Sequence, residues 1–253
     1  MPIALTRAVS ASINQCELAH LERQPIDLAL ARAQHHQYEA CLAALGCTLI
    51  RLPAEDALPD AVFVEDTAIV LDELAIITRP GAATRWAEAA SVAQALACYR
   101  TLHPIQPPAT LDGGDVLRLG RRLYVGLSGR SNHAAIEQLQ RVLRRWDYTV
   151  QGVSVNDCLH LKSAVTQVAT DTLLLNPAWV DPHHFAGWRI ITVDPSEPAA
   201  ANALLLGETV LYPASYPATR RRLAKQGIEV KTVDVSELIK AEGAVTCCSL
   251  IFS

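Results

Sequence analysis

Apolar residues in this chain recur in one order: two short apolar runs, a stretch with helical spacing, then one more apolar run. At 63–70 and 74–81 the runs "FVEDTAIV" and "LAIITRPG", joined by "LDE", read as a strand hairpin. The Ala-rich "TRWAEAASVAQALACY" that follows reads as a helix, and "LHPIQ" as a short extended piece. The order returns at 113–153. "GGDVLRLGRRLYVGL" is a hairpin turning at Gly120, "NHAAIEQLQRVLRRW" sets Ala135, Ile136, Leu139 and Leu143 at helical spacing, and "YTVQGV" is a strand. A third pass runs "LHLKSAVTQVATDTLLLN", "WVDPHHFAG", "RIITV", and a fourth "ANALLLGETVLYPA", "YPATRRRLAKQG", "EVKTVDV". At the N-terminal end, "PIALTRAV", the helix around "DLALARAQHHQYEACLAAL" and the strand "TLIRL" lack a preceding strand, and "AVTCCSLIFS" at 244–253 is free to supply it.

Five units of strand, strand, helix, strand result, with a period of roughly forty residues, the last closed by joining the two ends of the chain. Such a ring leaves no unpaired edge. A doubly wound sheet is the alternative, and it accounts less well for the paired strands and the terminal strand. No linker, low-complexity run or charge block divides residues 1–253, so one domain is expected.

Composition narrows the function. Half of the 253 residues are hydrophobic, 19% are charged, and the net charge is −4, which gives no sign of a nucleic-acid or anionic-membrane partner. "MPIALTRAVS" lacks the apolar core of a signal peptide, and no run approaches the roughly 18 apolar residues of a membrane span. A cytoplasmic protein is the expectation. The seven cysteines are odd in number and form no CxxC pair, which argues against a disulfide framework or a zinc site. His35-His36 reads as a solvated helix face, and His183-His184 has no third ligand nearby, so no metal site is expected.

Reactive polar residues stand at the head of the first strand of the units: Asp66 beside Glu65, Asp112 and Asp115, His160, and Cys247 next to Cys248, with the amide Asn202 in the remaining unit. Each alone has an ordinary reading: a strand-edge pair, a glycine turn, a structural histidine, a core cysteine. Their shared register brings them together in a radially repeated fold. Cysteine, histidine and a carboxylate are a thiol nucleophile, a general acid/base and an orienting or substrate-binding acid. Neighbours on a strand point to opposite sides, so one of the two cysteines faces the axis.

The segments "LPDAVFVEDTAIV", "AIITRPGA", "TLDGGDVL", "YVGLSGRSN", "LHLKS" and "GAVTCCSLIF" together resemble the dimethylarginine dimethylaminohydrolases of the guanidino-modifying superfamily. The resemblance implies a five-bladed α/β propeller of ββαβ modules that hydrolyses Nω-methylated arginines to citrulline and an alkylamine. It implies no cofactor, a small-molecule substrate as partner, and leaves room for a homodimer. It also implies Cys247 as nucleophile, His160 as general acid/base and Asp112 as its acidic partner. Asp66 and Glu65 would meet the guanidinium, Arg85 and Arg130 the α-carboxylate, and Asp60 with the backbone of Leu18, on an N-terminal flap, the α-amino group. Phe63 is a candidate wall for the methyl groups. Ala241 stands where relatives carry a larger aliphatic residue, and Trp86 where they carry a basic or small one. Arginine deiminases, citrulline hydrolases and amidinotransferases resemble the same scaffold, and a non-catalytic binder is the remaining alternative.

Overall fold

The computed structural model describes every residue from Met1 to Ser253 and has an α/β architecture of five three-stranded sheets. In chain order its elements are β1 (Ile3–Arg7), α1 (Leu28–Ala44), β2 (Thr48–Leu52), β3 (Ala68–Val70), β4 (Leu74–Ile77), α2 (Glu88–Leu96), β5 (Thr101–Pro104), β6 (Val116–Leu119), β7 (Arg122–Leu127), α3 (His133–Leu143) and β8 (Thr149–Ser154). They continue with α4 (Leu161–Ala164), β9 (Val165–Ala169), β10 (Thr172–Leu175), β11 (Arg189–Thr192), β12 (Leu204–Leu206), β13 (Thr209–Pro213), α5 (Pro217–Lys225), β14 (Glu229–Val233), α6 (Ser236–Ile239) and β15 (Leu250–Phe252). No helix is long and apolar enough to cross a membrane.

All five sheets share one internal order. The first strand pairs antiparallel with the second, and the second parallel with the third: β3-β4-β5, β6-β7-β8, β9-β10-β11 and β12-β13-β14. A parallel pair needs a crossover, which is why a helix sits between the second and third strands. The unit at 165–192 makes that crossover with a single turn at Pro182–Phe185. The fifth sheet is β15-β1-β2, with Ile3 opposite Phe252 and Leu5 opposite Leu250. The two ends of the chain thus complete one sheet.

Local sequence explains the elements. Asn132 caps α3 by accepting a hydrogen bond from the Ala135 N–H (3.2 Å). Its apolar face, Ala135, Ile136, Leu139 and Leu143, is buried against Leu123, Val125 and Val150 of its own sheet. Gly120 turns the β6-β7 hairpin at φ +63°, where a side chain would be strained. One cavity of about 280 Å³ is lined by the first strand of every sheet, with Ile69, Leu117, Thr166, Leu205 and Ile251 one from each.

Two expectations are corrected. Cys247 and Cys248 lie in a turn at 245–248, and the strand begins only at Leu250. Strand alternation therefore cannot decide which cysteine faces the site. The fold does it otherwise: Cys248 is fully buried in a hydrophobic cluster, while Cys247 is partly exposed. His35 is fully buried rather than solvated, because it shares the inner face of α1 with Ala31, Tyr38 and Leu42. Burial, reinforced by Arg51 and His36, pulls its pKa down to about 3.

Closure by β15 carries a stability prediction. Leu250 and Phe252 are 5% and 6% exposed, and burying two such side chains contributes about 1.5–3 kcal/mol each. That is a large share of the roughly 5–15 kcal/mol typical of a folded domain. A chain ending at Ser249 keeps Cys247, yet is expected to melt at much lower temperature or to aggregate. Thermal unfolding equal to that of the full chain would show the terminal strand to be dispensable.

Candidate active site

The polar residues at the strand heads do not lie on the strands. They occupy the loops that lead into them, at one end of the sheets. Asp66 is in a single turn before β3, Asp115 in a turn before β6, His160 immediately before α4, Asn202 two residues before β12, and Cys247 in the turn before β15. Glycines allow the close approach. A Cβ at Gly114 would lie 2.5 Å from His160 Nδ1 and 2.8 Å from Asp66 Oδ1, and one at Gly113 would run into the Glu65 carbonyl at 1.9 Å.

His160 stands between two carboxylates. Its Nε2 is 3.1 Å from Asp112 Oδ2, and its Nδ1 is 3.8 Å from Asp66 Oδ1. The three side chains are all buried, at 4%, 0% and 3% exposure. Burial by itself would lower the His160 pKa. The Asp66 charge, the Asp112 hydrogen bond and the Asp115 charge outweigh it and raise the value to about 9. His160 is therefore an imidazolium at neutral pH. Asp66 is opposed by burial but held down to about 2 by His160 and Arg85, and it also accepts from the Gly114 N–H (2.9 Å). Asp112 Oδ1 accepts from the Gly81 N–H (2.7 Å), which fixes the carboxylate that faces His160. Asp66, Asp112 and His160 could together offer three ligand atoms to a cation, but the imidazolium charge makes them a proton-handling group first.

Cys247 has the opposite electrostatics. Desolvation, then the charges of Glu65 and Asp66, push its thiol well above the ordinary range, and Lys162 only partly offsets them. Glu65 is itself raised by burial, against the pull of the Lys162 ammonium that donates to it. Thr246, next to Cys247, donates to Glu65 Oε2 (2.7 Å) and is held in turn by Asn202, whose Oδ1 accepts from the Thr246 N–H (3.1 Å). The nucleophile candidate is thus a thiol held in its protonated form, and positive charge brought beside it would favour the thiolate.

A small cavity of about 20 Å³ collects Cys247, His160, Asp66, Asp60, Phe63, Arg85, Arg130 and Ala241, with Glu17, Leu159, Glu242 and Gly243. That is room for about one water, whereas pockets for drug-sized ligands run from about 300 Å³. Arg85 is one reason. Its guanidinium donates to Asp66 Oδ2 (2.7 Å), to both oxygens of Glu88 and to the carbonyls of Asp60 and Phe63. It sits on Asp66 as a bound guanidinium would. Arg130 is less committed, with Nη1 3.9 Å from Asp112 Oδ2. The expected residues divide accordingly. Asp112 is enclosed behind His160, Glu65 lines the cavity between the sheets, and Leu18 packs into the cluster around Tyr38. Trp86 is 45% exposed, with Arg79 stacked on it at 3.9 Å, and does not line the small cavity.

The arginine deiminase family profile matches residues 56–204. A dimethylarginine dimethylaminohydrolase of Streptomyces coelicolor is 40% identical over 249 residues, which is 98% of this chain and 95% of that one. The chain belongs to the dimethylarginine dimethylaminohydrolase family. Among solved members, a Cys-to-Ser variant of the Pseudomonas aeruginosa enzyme in complex with citrulline superposes with a TM-score of 0.94 at 31% identity, covering 98% of both chains. A His-to-Gly variant captured as an adduct with S-methyl-L-thiocitrulline gives 0.93 at 31% identity, again over 98% of both chains.

Several residues that hold this site together carry little signal in the sequence. Glu88 lies three positions beyond Arg85, a helical spacing that flags the pair. Lys162 lies two beyond His160. Asp115 was marked by register but not by its partners: it accepts from Ser128 Oγ (2.6 Å), Ser131 Oγ (2.7 Å) and the Leu161 N–H (3.0 Å). Ser131 Oγ accepts from the Asp112 N–H (3.1 Å), so Asp115 braces the backbone beside both His160 and Asp112. Asp115→Asn has one oxygen to serve three donors and is expected to cost about 1–3 kcal/mol, measured by urea unfolding.

His160 also makes a pH prediction. Its folded pKa lies above the unfolded value of about 6.5, so its contribution is fully present below that pH and is lost as pH rises through about 9. The stability difference between the parent and His160→Gln should shrink by on the order of 3 kcal/mol between pH 6 and pH 10. A difference independent of pH would remove the imidazolium from the description.

Proposed function

We propose that this chain hydrolyses Nω-monomethyl- and asymmetric Nω,Nω-dimethylarginine to citrulline and methylamine or dimethylamine, with Cys247 as nucleophile, His160 as general acid and base, and Asp112 as the acid that orients His160. The observation that carries the reading is one buried cavity shared by Cys247, His160 and Asp66, with Asp112 hydrogen-bonded to His160. The family relationship supports it, because citrulline and a thiocitrulline are the ligands of its solved relatives. The same reading includes one domain over 1–253 built as a five-bladed α/β propeller. Support for the ring comes from the cavity that all five first strands line.

The chemistry follows from the charges. The substrate guanidinium takes the place of Arg85 on Asp66, next to Glu65, while Arg85 and Arg130 meet the α-carboxylate, and Asp60 and the Leu18 backbone meet the α-amino group. Phe63 and Ala241 form walls of the pocket. The incoming cation lowers the cost of a thiolate at Cys247, whose proton departs to solvent. The thiolate attacks the guanidinium carbon and a C–S bond forms. The His160 imidazolium gives its proton to the methylated nitrogen, the C–N bond breaks, and the amine leaves a thiouronium cation on Cys247. Neutral His160 then takes a proton from water as the oxygen attacks the same carbon. The C–S bond breaks and the Cys247 thiolate leaves, taking up the proton that the new hydroxyl loses, so citrulline is released, the thiol is restored and His160 is again the imidazolium.

Arginine, both methylarginines and citrulline, supplied separately, test the substrate. Citrulline with the matching alkylamine is expected from the methylarginines and little ammonia from arginine. Burying a methyl group is worth only about 1 kcal/mol, so this selectivity rests mainly on alignment of the guanidinium. Efficient ammonia release from arginine, with methylarginines inert, would make the chain a deiminase. Ornithine from citrulline would make it a citrulline hydrolase.

Substitutions test the roles. Cys247→Ser is expected to be inactive but folded, and Cys248→Ser to stay active with a stability loss of at most about 3 kcal/mol. His160→Gly should lose roughly 10²–10⁴-fold in turnover. It should still accumulate mass on Cys247 with a substrate whose leaving group needs no proton. Parent-like turnover in the Cys247 or His160 variant overturns the assignment.

A further inference from the structure

The loop before α1 is a closed structure of its own. Asn14 and Ile26 pin its ends by reciprocal hydrogen bonds of 3.0 and 2.8 Å, and Arg23 reaches back to the carbonyls of Asn14 and Cys16. On the cavity side, the Glu17 N–H donates to Asp60 Oδ2 (3.0 Å), and its carboxylate accepts from Thr84 Oγ1 (2.7 Å). The tip, Ala19 to Leu21, is exposed. Leu21 is 48% exposed. What holds the tip is one side chain more than 220 positions away. Three successive N–H groups, of Ala19, His20 and Leu21, converge on the carboxylate of Glu242 at 3.1, 2.6 and 2.6 Å. Adjacent backbone amides arranged this way form an anion-binding nest, and hydrogen bonds to a charged acceptor are the strong ones.

The backbone of Glu242 is a second, independent observation. The turn that ends α6 runs through a left-handed residue, with the Gly243 N–H returning to the Leu238 carbonyl (3.0 Å) and the Glu242 N–H to the Ile239 carbonyl (3.0 Å). Glycine is the usual occupant of that position. Here it is Glu242, at φ +58°, with Gly243 following it. A strained backbone kept for a particular side chain points to a task for that side chain. Glu242 also sits on the wall of the cavity that holds Cys247 and His160.

We propose that Glu242 is a positioning residue that fastens the flap over the bound substrate and so sets substrate affinity, leaving the chemical step to Cys247 and His160. The assignment rests on the methylarginine reading for its kinetic part and on the free protein alone for its structural part. A cavity with room for one water has to widen to admit an arginine derivative, and the exposed tip, held by the Glu242 carboxylate, is the segment to release. Fastening it again behind the substrate restores the enclosure that Leu18 and Asp60 complete.

The decisive variant is Glu242→Gly. It removes the carboxylate while relieving the left-handed backbone, so its thermal stability should equal or exceed that of the parent. Amide hydrogen exchange of the free protein in the peptide covering 18–23 should nevertheless be about 10- to 100-fold faster than in the parent. The KM for dimethylarginine should rise by a similar factor, with kcat within about threefold. Glu242→Gln, which keeps one acceptor oxygen without charge, should fall between the two. Unchanged exchange in Glu242→Gly refutes the latch, whatever the kinetics. Faster exchange with an unchanged KM, or a fall in kcat alone, refutes its role in affinity. A parent enzyme inert toward methylarginines would sink the functional reading instead, and the exchange measurement would still decide the latch.

Discussion

A carboxylate without water around it has to be paired, and Asp66 is paired on three sides. Arg85 donates to one oxygen, the Gly114 N–H to the other, and His160 faces it at 3.8 Å. These partners come from the leading loops of two other sheets, those before β6 and β9, and from the turn that precedes α2. Losing any one of them would leave charge buried and uncompensated, which costs several kcal/mol. The loops are therefore held in one arrangement by a local electrostatic demand, not only by the packing of the sheets beneath them.

A second chain of contacts joins the remaining strand heads. Lys162 pairs with Glu65, Glu65 accepts from Thr246, and Thr246 is held by Asn202, whose amide also reaches the Lys162 carbonyl (3.1 Å). Between them, the two sets tie the head of every first strand to another. The same arrangement sets the reactivity of the site. Asp66, which helps keep His160 protonated, adds to the burial and the Glu65 charge that keep Cys247 protonated, so the proposed acid and nucleophile are not both ready in the free protein. In the proposed mechanism, a cationic substrate resolves the conflict by supplying the missing charge. On that proposal, specificity for a guanidinium and activation of the thiol are one electrostatic event.

Much of this was legible in the sequence. The spacing of Ala135, Ile136, Leu139 and Leu143 located the buried face of α3, and Gly120 located a hairpin turn, because both signals act within one element. The order of apolar runs pointed to five repeating units, since paired strands followed by a helical crossover fit a doubly wound sheet less well. The register of Asp66, Asp112, His160 and Cys247 pointed to one site because a repeated unit puts equivalent positions at equivalent places.

What only the tertiary structure decided depends on contacts between residues far apart in the chain. Whether His35 faced solvent or core could not be told from the helix alone, because the answer lies in what packs on α1. That Cys247 sits in a turn, and that Arg85 occupies Asp66, depends on partners brought in by other units. Glu242 carries no signal in its own neighbourhood beyond a glycine beside it. Its meaning comes from three amides at the other end of the chain. Sequence determined the periodicity, because hydrophobic burial is read locally along each element. The fold alone determined which charges meet, because pairing of buried charge is a property of positions in space.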